Sequence, residues 1–331
     1  MVGVDLVELV LGAILSLGTS LLLVSRLERL GERLGLSEAL LGVVAALAAD
    51  APEISSAVTA LVHRQRAVGV GVVLGSNVFN LAALLGLGAV VAGWVVLHRR
   101  VVILAGSVSM WIAVVALLTF LGTVSPALGL ALVGVVMVPY IVLLGTRGRR
   151  ASWFGLPRRW TLWLRAAVSE EEQELYPAIH PRRGGPLDVA LAAGALVVVV
   201  GASVVMERAG SAVGRHYSVP EIVVGGLLLA VITSLPNAVA AVYLAAKGRG
   251  AAALSTALNS NALNVVAGLL VPAVWLGLGR PQAQGMLIAG WYVGLTACTL
   301  ALAYAGRGLS RLSGSVVIGG YLAFVAVLLV I

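Results

Sequence analysis

The segment AADAPEISSAV, residues 48–58, places Asp50, Pro52 and Glu53 inside an apolar run. Two acids at i and i+3 share a helix face. An ionised carboxylate near the centre of a membrane helix costs about 2.5–3.5 kcal/mol on insertion scales, so two in one turn require a compensating partner. Proline removes a backbone donor and disturbs the carbonyl one turn earlier. Freed carbonyls at membrane depth are tolerated where they line a cavity or coordinate something. A cation meeting that face would neutralise both acids. Carboxylate and carbonyl oxygens are hard ligands, suited to Ca2+, Na+ or Mg2+.

The rest of the chain supplies the membrane. It has 331 residues, 60% of them hydrophobic and 11% charged, with a mean hydropathy of +1.05. Such a composition excludes an ordinary soluble domain and indicates an all-α polytopic membrane protein. The short alternating segments of a membrane β-barrel are absent. The lone Cys298 cannot form an internal disulfide, and Asp5 and Glu8 ahead of the first apolar run argue against a cleavable leader.

Ten transmembrane spans are expected, near 4–25, 36–62, 67–94, 101–121, 124–145, 187–207, 218–246, 250–277, 283–304 and 313–331. With the N-terminus outside, 17 of the arginines and lysines fall in inner loops and 5 in outer ones. The positive-inside rule then puts both termini outside and the central loop in the cytoplasm. The net charge of +8 therefore reflects topology rather than nucleic-acid binding. The chain divides into a first transmembrane repeat (1–145), a cytoplasmic or interfacial loop (146–186) and a second repeat (187–331). In the loop, Trp153, Phe154, Trp160 and Trp163 among arginines suggest a segment at headgroup level. The run Glu170, Glu171, Glu172 and Glu174 reads as a solvated helix face.

The halves repeat. Asp5 matches Asp188, Gly18 matches Gly201 and Glu38 matches Glu221 at an offset of 183. After one inserted residue the offset is 184: Pro52 matches Pro236, Glu53 matches Asn237, and Ser76, Asn77 and Asn80 match Ser260, Asn261 and Asn264. Five spans per repeat is odd, so the second copy is inverted relative to the first. Inverted repeats mark secondary transporters, whose site lies at the midplane between broken helices. Thr233, Ser234 and Asn237 flank Pro236, again as oxygen donors. The candidate metal-ligating set is thus Asp50, Glu53, Asn77, Asn80, Thr233, Ser234, Asn237, Asn261 and Asn264.

Two of these segments resemble a known family. VITSLPNAVAAV is similar to the G-T-S-L-P-E core of the calcium/cation antiporter superfamily, sodium/calcium exchanger type, and VVLGSNVFNLAALLG to its G-N-x-x-G-S-N-x-x-N segment. The resemblance covers both halves. It implies an antiporter without ATP use, with four cation sites where the repeats meet and two long first helices that slide over a rigid core. By position it implies Glu53, Asn80, Thr233, Ser234 and Asn264 as ligands, with Asn237 in place of the second core glutamate. Ala49 and Asp50 stand where the family has Thr and Ser. One carboxylate has in effect moved between halves, so the site keeps a charge of about −2.

The expected function is Na+/Ca2+ exchange by alternating access in a bacterial or archaeal inner membrane, with Asp50 and Glu53 as the charged midplane ligands. Like-charge repulsion and desolvation within one turn make H+-coupled exchange of Ca2+, Mg2+ or Mn2+ the main competitor. An intramembrane enzyme lacks a second catalytic acid on the opposite half, and a passive channel needs no inverted repeat. Expected partners are small inorganic cations and the bilayer, with no cofactor, nucleic acid or obligate protein partner.

Overall fold

Long apolar runs become helices because backbone groups facing lipid must bond within their own segment. The computed structural model describes residues 2–175 and 184–330, so His180, Arg182 and Arg183 of the central loop lie outside the described residues. Among the described residues, nine helices are long and apolar enough to cross a membrane. A tenth crossing is the bent pair Ala39–Ala49 and Ala51–Val62, whose halves meet at 49°. The chain is a multi-pass membrane protein, and with the bent pair taken as one span the described residues make ten crossings, as the hydropathy implies.

The first half runs α1 (Val2–Arg33), α2 (Glu38–Ala49), α3 (Ala51–Val62) and α4 (Arg66–Asn80). A π-helical stretch, Leu81–Leu87, then leads into α5 (Gly88–Ala92), strand β1 (Trp94–Val96), α6 (Arg99–Phe120) and α7 (Pro126–Gly145). A 3-10 turn (Arg149–Phe154) and α8 (Arg158–Leu175) form the connection. The second half runs α9 (Pro186–His216), α10 (Glu221–Val223), a π stretch at Val224–Leu229, α11 (Ala230–Ala246) and α12 (Gly250–Leu263). Another π stretch (Asn264–Leu270), α13 (Val271–Leu276), α14 (Ala283–Gly306), β2 (Gly308–Ser310) and α15 (Arg311–Val330) complete it.

The sequence D-A-P-E explains the bend. Asp50 closes α2 and opens α3, with proline in the first turn and Glu53 beside it, a pattern that starts helices. Pro52 has no N–H for the Ala48 carbonyl, and the Ser20 hydroxyl of α1 donates to that carbonyl instead at 3.3 Å. The second repeat behaves differently. Pro236 lies inside a continuous α11, and the irregular backbone sits upstream in the π stretch Val224–Leu229. One half is therefore sharply bent, while the other is locally widened.

The long helices α1 and α9 lie against each other. Their buried stripes are rich in small residues: Gly12, Ser16 and Ser20 on α1, and Ala192, Ala195 and Ala202 on α9. Small side chains let membrane helices approach closely. A close backbone approach joins α4 to the π stretch of the second half. A Cβ on Gly75 would lie 2.3 Å from the Gly226 carbonyl oxygen, and one on Gly225 would lie 2.2 Å from that of Val68. Gly75→Ala should therefore destabilise the protein by about 1–3 kcal/mol, as overpacking does. A thermal melt in detergent with unchanged Tm would contradict this backbone contact. At one end of the bundle β1 pairs antiparallel with β2, Trp94 opposite Ser310, joining the two halves a second time.

The connection corrects one expectation. The glutamate run does not form a uniformly solvated face: Glu171 is 1% exposed. The reason is helical spacing, since position 171 continues the inward stripe of Thr161, Leu164 and Val168. Its neighbours face the rim, where Glu170 pairs with Arg100 and Glu172 with Arg147. Trp153 and Trp160 are exposed, with Arg150 and Arg159 over their rings.

Candidate cation site

The bend at Asp50 turns α3 so that its first residues meet α11 and α12 of the other half. Asp50 does not cap its own helix. Its Oδ1 accepts from Asn237 Nδ2 at 2.6 Å and from Ser260 Oγ at 2.6 Å. Glu53 is held in the same way, by the Ser234 hydroxyl on Oε1 and by Asn264 Nδ2 on Oε2. Both acids thus come from the first half and all four donors from the second. Asp50, Glu53, Ser234, Asn237, Ser260 and Asn264 are fully buried, and Thr233 is 1% exposed.

At the offset of 184, Asp50 corresponds to Ser234 and Glu53 to Asn237. The Ser234–Glu53 and Asp50–Asn237 hydrogen bonds are therefore one contact in two symmetry-related copies. In the first copy the acid follows the proline; in the second it stands on the partner across the contact. The carboxylate that the sequence showed as moved between halves has crossed a single hydrogen bond.

The remaining predicted residues divide into two groups. Asn77 Nδ2 donates to the Asn261 backbone carbonyl, and Asn261 Nδ2 to that of Asn77, each at 3.0 Å. Their side-chain oxygens accept from Asn264 and Asn80 respectively. These two amides form a reciprocal clamp between α4 and α12 in which each side-chain oxygen has a partner, unlike those of Asn80, Asn237 and Asn264. Asn80 Nδ2 also donates to Ser260 Oγ at 3.2 Å. Thr233 Oγ1 donates to carbonyls of its own helix. Ser260 was visible in the repeated Ser-Asn pair without being assigned a role; here it is a donor to Asp50. Ser20 carried one sequence signal, its match to Ser203 at the offset of 183.

Buried polar atoms normally find partners. Among the acids and the polar positions repeated between the halves, Asp50 Oδ2, Ser76 Oγ, Asn80 Oδ1, Asn237 Oδ1 and Asn264 Oδ1 have none. Three amide oxygens, a carboxylate oxygen and a hydroxyl are all donors that a hard cation takes. No cluster of three or more His, Cys, Asp or Glu side chains occurs among the described residues. Any cation held here would rely on neutral oxygens to complete its shell. A cavity of about 210 Å³ leads to Asn237 and Ala49 from one side, with Leu21, Val24 and Glu28 of α1 along its wall.

The fold is that of solved cation exchangers. The sodium-calcium exchanger NCX_Mj superposes with a TM-score of 0.58 at 19% identity, covering 99% of this chain and 100% of that one. The H+/Ca2+ exchanger CAX gives a TM-score of 0.68 at 14% identity, covering 98% and 86%. The chain belongs to the family described as sodium/calcium exchanger protein, whose profile matches residues 5–147 and 188–330. The inner membrane protein YrbG of Escherichia coli K12 is 28% identical over 237 residues, 70% of this chain and 67% of that protein. The putative antiporter CaxA of Alkalimonas amylolytica is 33% identical over 91 residues, 27% of this chain and 28% of that protein. Rat sodium/potassium/calcium exchanger 3 is 36% identical over 99 residues, 30% of this chain and 16% of that protein.

Proposed function

We propose that this exchanger carries out Na+/Ca2+ antiport by alternating access, with Asp50 and Glu53 as the charged ligands of the transported ions. The observation that carries the reading is the pair of buried acids encircled by unpartnered oxygens of Asn80, Asn237 and Asn264. A charge of about −2 is balanced by one Ca2+ or by two Na+. Calcium takes six to eight oxygens at about 2.3–2.6 Å in flexible geometry, whereas Mg2+ demands a stiffer octahedron. Amides suit such a site: a half-turn of the Asn237 or Asn264 side chain replaces an N–H donor to the acid with an oxygen ligand. Thr233, Ser234, Ser260 and Ser76 add hydroxyls, while Asn77 and Asn261 hold α4 and α12 in register.

Alternating access in inverted repeats proceeds by one bundle rocking or sliding against the rest around a fixed site. Here α1 and α9 are the moving pair, and the cavity wall formed by α1 is one face of the path. The protein sits in the inner membrane with both termini outside and the α8 loop in the cytoplasm. The arginine distribution and the similarity to an E. coli inner membrane protein support this placement. Its substrates are the ions themselves, and no resident cofactor enters the cycle.

The test is Ca2+ uptake by proteoliposomes with and without an outward Na+ gradient at fixed pH. Uptake that depends on the Na+ gradient is expected. One observation favours H+ coupling as the second reading: neither acid has a basic side chain among its hydrogen-bond partners. A proton could therefore provide the compensating charge. Uptake driven by an outward H+ gradient without Na+ would replace the first reading with the second.

A further inference from the structure

The second buried carboxylate cluster lies away from the ion site, in the connection between the halves. The inward stripe of α8 reads Thr161, Leu164, Val168, Glu171, so an acid occupies a position where helical spacing demands an apolar residue. The Ser255 hydroxyl donates to Glu171 Oε1. Asn259 Nδ2 donates to Ser255 Oγ at 3.0 Å, and the Tyr140 hydroxyl to Asn259 Oδ1 at 3.3 Å. Every partner in this chain is neutral.

Among the described residues, the charged groups on the elements packed around it are engaged elsewhere, and α2, which also packs against α8, carries no titratable residue after its first position, Glu38. Arg100 of α6 pairs with Glu170, and Arg147 after α7 pairs with Glu172 at 3.3 Å. From the 3-10 turn, the Arg149 guanidinium acts on the Glu172 carboxylate, and Arg165 of α8 bonds the Gly148 and Arg149 carbonyls. On α12 the facing groups are Ser255 and Asn259, which carry no charge. The nearest further charge on α8 is the Glu172 carboxylate, of the same sign. Burying an unpaired carboxylate is costly, and a proton removes that cost.

We propose that Glu171 is a proton-binding site separate from the transport site, whose protonated form fastens α8 to α12 and whose ionised form releases it. The helix it grips matters: Ser255 lies five residues before Ser260, about 7.5 Å along the axis, and Ser260 bonds Asp50. Seating α8 therefore constrains the helix that carries Ser260, Asn261 and Asn264. Burial pushes the Glu171 carboxyl up from its ordinary 4.5 to about 7, against the Ser255 hydroxyl that pulls it down, with the Glu172 charge adding to the rise. A raised acid favours the seated form when protonated. The seat is thus fully in place below pH 4.5 and is lost as pH rises through about 7.

Hydrogen–deuterium exchange on the purified full-length protein tests this between pH 5 and 8.5, corrected for intrinsic exchange. Protection of α8 amides should fall by a factor on the order of 100 across that range, with its midpoint at about pH 6, between the ordinary 4.5 and the raised value of about 7. Glu171→Gln should keep α8 protected throughout, and Glu170→Gln should leave the wild-type midpoint in place. Protection in the wild type that does not change with pH, or a full pH response in Glu171→Gln, would overturn the proposal. Should Glu171→Gln fail to fold, the wild-type and Glu170→Gln profiles decide the matter. None of these readouts depends on which ion drives transport.

Discussion

Asp50→Asn and Glu53→Gln should each take Ca2+ transport to background, a loss of at least about 100-fold, equivalent to about 2.8 kcal/mol. Each substitution keeps the shape of the side chain and removes one of two charges. A site left with a single acid cannot neutralise a divalent ion in a bilayer interior, where uncompensated charge is expensive. The same substitutions should not harm the fold. The acids are fully buried and their four donors on the second half are neutral, so their ionised forms cost stability in the absence of a cation. Tm in Ca2+-free detergent should hold or rise for both variants, and the gain in Tm on adding Ca2+ should disappear. Transport at wild-type rates by both variants would remove these residues from the site; a collapse of Tm would make their role structural instead.

The second large effect is a rescue. Asp50→Ser alone should abolish transport, and Asn237→Glu alone should impair it by placing two acids across the 2.6 Å contact between residues 237 and 50. The double variant Asp50→Ser/Asn237→Glu recreates at this contact the hydroxyl–carboxylate pair that Ser234 and Glu53 form at the symmetry-related contact. Total charge returns to its original value and the acid moves by one hydrogen bond. Transport should recover to within about tenfold of wild type, a difference of about 1.4 kcal/mol. Such non-additivity is what two residues in direct contact should show. A double variant no better than the worse single one would mean that the two contacts are not equivalent.

Much of this site was legible in the sequence, for a physical reason. Acids in apolar runs are rare because they are costly, so Asp50 and Glu53 stand out from composition alone. Internal symmetry then located Ser234, Asn237, Ser260 and Asn264 by arithmetic, without any knowledge of contacts. What symmetry could not supply was the use made of each amide. Asn77 and Asn80 lie three residues apart on one helix, yet Asn77 uses its oxygen on the facing helix while that of Asn80 lacks a partner. That difference depends on side-chain rotation, which spacing does not encode. The unequal breaks were also hidden, since Pro52 and Pro236 look alike in sequence but only the first bends its helix sharply. Glu171 was misread because its charged neighbours made the segment look wet, while the stripe that turns it inward is only four residues deep.

The hydrogen bonds that hold the two acids have a consequence for biosynthesis. Asp50 and Ser260 are 210 residues apart in the chain, and Glu53 and Asn264 are 211 apart. At synthesis rates of about 5–20 residues per second, roughly 10–40 s pass between the emergence of each acid and that of its donor. During that interval the first half enters the bilayer with two carboxylates whose native donors have not yet emerged. Clamp, ion site and the β1–β2 seam all join residues from opposite halves, so none can form until the second half has emerged. Assembly of this exchanger is therefore a late event, in which the first five crossings wait, incomplete, for the five that match them.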